Sequence, residues 1–114
     1  QERYDSLLST LPIIKPYQDI DNYSSIHLYP IQIDLNKVSK SREQVFNSLI
    51  ESGVGVNVHY IPIHTQPYYL QFGFKEGDFL NSEAYYRGAI SIPLFHKMST
   101  KQQDTVIETL KRVL

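Results

Sequence analysis

The sequence has no cysteine and no tryptophan, a single methionine, and only five glycines in 114 residues. Without cysteine there is no disulfide framework, no thiolate metal site and no thiol nucleophile, so nothing argues for an oxidising compartment and the expected location is cytoplasmic. A surplus of one charge is also missing. Eleven basic and twelve acidic side chains leave a formal net charge of -1, which offers no general field for a nucleic-acid backbone or an anionic membrane. No run approaches the roughly 18 to 20 apolar residues that span a bilayer, and the N-terminus lacks the basic-then-apolar order of a signal peptide. Methionine does not open the chain; Gln1 does, directly ahead of a helical pattern, so these residues are expected to begin inside a longer protein. What is present is 41% hydrophobic and 20% charged residues, enough for one compact domain and too little chain for a second core.

Tyr4, Leu7, Leu8 and Leu11 recur at spacings of three and four and predict a helix over 2–11, ended by Pro12 and Pro16. The β-branched and aromatic run from Ile26 to Ile33 predicts a strand, with Pro30 marking an edge or a bulge. Ser41 and Gln44 form a capping-box pattern ahead of the stripe Val45, Phe46, Leu49 and Ile50, and Gly53 falls at the expected C′ position. Val54, Val56, Val58 and Tyr60 alternate with Gly55, Asn57 and His59, the period-two sign of a strand with a small or polar second face. Ile90, Ile92 and Leu94 repeat that sign after a short helix over 81–88. Ser99 and Gln102 cap a closing helix whose inner stripe is Val106, Ile107, Leu110 and Val113. The expectation is an α+β domain with a small, mostly antiparallel sheet and helices on one face. Its core would hold about ten to fifteen apolar side chains, each contributing roughly 1.5 to 3 kcal/mol when fully buried.

Chemistry concentrates in the run from His59 to Tyr69, at a strand end and in the loop that follows. Imidazoles, a carboxamide and phenols there offer hydrogen bonds beside flat apolar faces, a surface suited to a sugar or a nucleotide base. The same tyrosines would equally serve to pack against a helix. The separation of His59 from His64 matches neither the helical zinc pair nor a finger pair, and no metal site is expected. Neither a nucleophile elbow nor a phosphate-binding glycine loop occurs: Gly53 and Gly55 read as a helix stop and a small strand residue. Arg87 is expected in a surface salt bridge, with contact to an anion as the alternative. On these residues alone, a free-standing α+β module that binds a ligand or protein through its aromatic loop stays open beside an enzyme part.

The run from Gly53 to Tyr69, then Gly73 to Phe79, Glu83-Ala84-Tyr85-Tyr86-Arg87 and Ser91-Ile92-Pro93-Leu94-Phe95, resembles the C-terminal part of the DegT/DnrJ/EryC1/StrS sugar aminotransferases. The nearest branch in that likeness is the PseC-type altrosamine transaminases together with the spore coat polysaccharide biosynthesis aminotransferases. The resemblance covers essentially the whole chain. It implies that residues 1–114 are the small C-terminal domain of the aspartate-aminotransferase (type I) fold, closing over a large domain that holds pyridoxal 5′-phosphate (PLP). The implied partners are that large domain, a UDP-linked 4-keto sugar, glutamate as amino donor, and a second copy in a homodimer, with no nucleic acid and no membrane. None of the seven lysines sits in a motif matching the family's Schiff-base lysine, so no catalytic residue is expected here and the isolated chain should be inactive. By the same likeness His64 is the first choice for a residue facing cofactor and sugar, and His59, Tyr60 and Gln66 are further candidates for lining the cleft. A sheet face carrying Gly55, Asn57, His59 and Ser91 would need the missing domain as its cover.

Overall fold

A computed structural model describes the chain from Gln1 to Leu114. Three strands, β1 (Ile13–Ile14), β2 (Tyr29–Ile33) and β3 (Ala89–Ile92), form one antiparallel sheet in the order β1-β2-β3. The helices are α1 (Glu2–Leu7), α2 (Arg42–Glu51), α3 (Pro67–Leu70), α4 (Leu80–Gly88) and α5 (Thr100–Val113). Tyr29 and Ile31 of β2 stand in register with Ile92 and Ile90 of β3, Ile33 stands in register with Ile13 of β1, and the three β2 side chains bury one sheet face. Against that face lie Tyr4 and Leu8, Val45 and Leu49 from α2, and Val106, Ile107, Leu110 and Val113 from α5, in a core of fifteen residues. The fold class is the α+β sandwich expected from the sequence.

Both long helices begin where their capping boxes place them. Ser41 and Ser99 each accept the backbone N–H three residues on, and Gln44 and Gln102 each reach back to the N-cap N–H. The end of α2 is a Schellman motif. Gly53, at φ +80°, donates to the Ile50 carbonyl and Val54 donates to the Leu49 carbonyl, each at 2.9 Å, while the Val54 and Leu49 side chains are both buried.

Several expected elements differ in extent. The opening helix stops at Leu7 and continues to Leu11 only as hydrogen-bonded turns. β2 starts at Tyr29 rather than Ile26, because Ile26 sits at φ +42°, outside any strand conformation. Pro30 lies in the middle strand, against the expectation of an edge. It faces Ser91, whose backbone N–H and C=O are both turned the other way, to Asn57, and β1 pairs only with Ile33 and Gln32. No neighbour therefore asks Pro30 for the donor it lacks. The expected strand over 54–60 is not one: this extended segment joins the sheet only through the Asn57–Ser91 pair. β3 ends at Ile92, before Pro93, and all four of its residues are buried.

Candidate functional site

The segment leaving α2 carries the candidate residues in chain order. Asn57 exchanges two backbone hydrogen bonds with Ser91, of 3.1 and 2.7 Å, and this brings the next residues across the end of the sheet. His59 then places Nδ1 2.8 Å from the Ser91 hydroxyl, and the Tyr60 ring stands edge-on to the imidazole at 4.7 Å. Ser91 is consequently buried within the chain itself, so the polar sheet face is less open than the alternation implied. Tyr60 projects outward with 72% of its surface exposed.

At Pro62 the chain enters a single 3-10 turn, Ile63–Thr65, closed by the Thr65 N–H and hydroxyl on the Pro62 carbonyl. This turn points His64 inward, where only 6% of it remains exposed. Its Nε2 lies 2.7 Å from Oε1 of Glu83 on α4, and the same oxygen accepts the Gly77 N–H at 2.8 Å. The carboxyl of Glu83 is held below the usual carboxylate range, first by the His64 hydrogen bond and then by the Gly77 amide. Phe79 packs on the imidazole at 4.8 Å. Gln66 follows as N-cap of α3, with Pro67 at the first helical position; its carbonyl takes the Tyr69 and Leu70 amides, and its side chain makes no cap bond.

The four sequence candidates do not meet in one cavity. His64 lines a pocket of about 330 Å³ with Ile63, Tyr69, Phe74, Phe79 and Ser82. His59 lines a different groove, of about 380 Å³, with Asn57, Ser91 and Phe95. Tyr60 and Gln66 line neither. Glu83 went without a role in the sequence reading, since nineteen residues separate it from His64 and no spacing rule links them. Arg87 forms no ion pair, contrary to expectation; it faces a hollow with Thr65, Glu76, Glu83 and Tyr86. No three of the histidine, aspartate and glutamate side chains converge as a metal set.

The lysines do not provide for PLP on this chain alone. Lys15 and Lys40 donate to the carbonyls of Asp5 and Val113, Lys37 and Lys111 pair with Asp34 and Glu108, and no lysine lines the His64 pocket or the His59 groove. A group anchored through a lysine Schiff base therefore does not fit here.

Comparison with known proteins extends these observations. The chain is 37% identical to the spore coat polysaccharide biosynthesis protein SpsC of Bacillus subtilis, over 98% of this chain and 30% of SpsC. It is 34% identical to a UDP-4-amino-4,6-dideoxy-N-acetyl-beta-L-altrosamine transaminase of Campylobacter jejuni, over 80% of this chain and 24% of that protein. Among solved structures, Spr1654 of Streptococcus pneumoniae in its PMP form superposes with a TM-score of 0.88 at 29% identity, covering 98% of this chain and 28% of Spr1654, which is also solved in a PLP form. The chain thus spans about a third or less of the length of each relative. With residues 1–111 matching the family model throughout, the chain belongs to the DegT/DnrJ/EryC1/StrS aminotransferase family.

Proposed function

We propose that residues 1–114 act as the small, substrate-closing domain of a PLP-dependent sugar-nucleotide aminotransferase. In this reading the whole protein is a cytoplasmic homodimer that moves an amino group from glutamate to a UDP-linked 4-keto sugar, in surface-glycan or pseudaminic acid biosynthesis. The large domain carries PLP and its lysine. This chain contributes binding, orientation and exclusion of water. His64, His59, Tyr60 and Gln66 lie along the edge that closes on the substrate, with His64 held in place by Glu83.

The observation that carries this reading is the family match over residues 1–111. A surface feature supports it. Every residue from 67 to 82 is exposed, yet this stretch contains Tyr68, Tyr69, Leu70, Phe72, Phe74, Phe79 and Leu80. An apolar surface of that kind marks an interaction site. The test is amino transfer by the full-length protein: glutamate should support conversion of a UDP-linked 4-keto sugar to the 4-amino product, with 2-oxoglutarate formed in equal amount. No turnover by a PLP-loaded preparation would overturn the proposal.

A further inference from the structure

His64 is almost wholly covered, and the segment that covers it is weakly held. The Phe79 ring lies on the imidazole at 4.8 Å, and Phe74 lies against Phe79 at 6.2 Å. Both rings belong to residues 73–79, every one of which is exposed. From Phe74 to Asp78 only one hydrogen bond leaves the segment, from the Gly77 N–H to Oε1 of Glu83 at 2.8 Å. Lys75 and Asp78 bond to each other, the Lys75 N–H to the Asp78 carboxylate at 2.9 Å and the Asp78 N–H to the Lys75 carbonyl at 3.3 Å, so this turn is closed on itself. Lys75, Glu76 and Asp78 enter no ion pair. Beneath Phe74 and Phe79 lies the cavity of about 330 Å³, so the rings bridge a void and forgo the dispersion contacts of a filled site. Segments with so few buried contacts open at the low end of the local free-energy range.

Two glycines supply the joints. Gly73 and Gly77 stand at φ +91° and +97°, and a Cβ on either would meet nothing within 4 Å. Crowding does not require glycine there; the backbone conformation does, and glycine turns through it freely. We propose that residues 73–79 form a hinged strap over His64, latched by the Glu83 carboxylate, and that release of the strap uncovers the imidazole. Latch and covered group share one atom, since Oε1 of Glu83 meets both Nε2 of His64 and the Gly77 N–H. Glu83 is buried on α4 and stays with the body when the strap leaves. Glu76 and Arg87 are the other charged groups at the hollow beside it, and neither pairs with it. The strap's motion is independent of the amino-transfer reading, because it follows from these tethers alone.

The test follows the strap and the imidazole separately in the purified full-length protein at neutral pH. Amide deuterium exchange, read by mass spectrometry, reports opening of residues 73–79, and carbethoxylation by diethyl pyrocarbonate reports access to His64. Glu83→Gln weakens the latch by removing its charge, whereas Gly77→Ala forces the strap from its conformation and leaves the His64–Glu83 pair in place. In each variant the strap amides should exchange about ten-fold faster, the effect of losing one charge-assisted hydrogen bond, and His64 should be modified faster by a similar factor. Exchange in α5 should not change. Gly77 is exposed, so Gly77→Ala carries the test if Glu83→Gln does not fold. Unchanged exchange over 73–79 would overturn the latch, and faster exchange in α5 by the same factor would show whole-domain unfolding in its place. Faster strap exchange with unaltered modification of His64 would overturn the strap as its cover.

Discussion

Gly88 and Gly53 are glycines for different physical reasons, and their alanine variants test each. A Cβ on Gly88 would stand 2.9 Å from the backbone oxygen of Ile33, so backbone must move where α4 meets β2. Gly88→Ala should cost about 1 to 3 kcal/mol, the range for overfilling a packed site. Gly53 has open space around it but sits at φ +80°, and Gly53→Ala should cost about 1 to 2 kcal/mol from backbone conformation alone. Urea unfolding of both variants checks the two figures. Glu83 makes a pH-dependent contribution. Because its folded value is depressed, the stabilisation is complete above the ordinary glutamate value of about 4.3 and is lost as pH falls through the folded value. The protection factor of the Gly77 amide, measured by NMR hydrogen exchange and corrected for the intrinsic pH dependence, should fall on acidification in that window, and Glu83→Gln should remove that fall. In the full-length enzyme, His64→Ala should remove most transaminase turnover while the PLP absorbance band remains; unchanged turnover would take His64 out of the site.

At the scale of elements, α5 is the organising helix, since it supplies four of the fifteen core residues from fourteen. Ser99→Ala removes half of its capping box and should lower stability by about 1 kcal/mol, whereas Ser99→Gly should cost only a few tenths, as denaturant midpoints would show. The start and inner stripe of this helix were legible in the sequence because cap and stripe are local signals read within a few residues. The same holds for α2 and for its glycine stop. β1 was not legible: two residues between prolines carry no period, and only their pairing with Ile33 and Gln32 makes them a strand. Alternation over 54–60 misled for the reverse reason, since a period-two pattern describes an extended backbone without saying how many neighbours it will find. Within the site, the aromatic and histidine-rich run stood out by composition. The inward turn of His64 and its bond to Glu83 depend on a long-range contact, which no spacing encodes.

The molecule as a whole is longer than its mass requires. Its radius of gyration is 15.4 Å, against about 13 Å for a compact chain of this length, and its extents are 47 × 35 × 26 Å. No helix is long and apolar enough to cross a membrane. With the aromatic stretch uncovered, the chain studied by itself should self-associate as its concentration rises, seen by sedimentation. Replacing Tyr68, Phe72 and Leu80 with serine should reduce that association and leave the far-ultraviolet circular dichroism unchanged, since all three side chains are exposed. The fifteen-residue core takes no residue between Val54 and Ile90, and of the hydrophobics in that interval only Val56 packs against it. That gap makes residues 57–83 a cassette in evolutionary terms: mutation can rewrite or resize it while the folding of the body stays as it was. Divergence in substrate choice among descendants of this fold should accumulate there first.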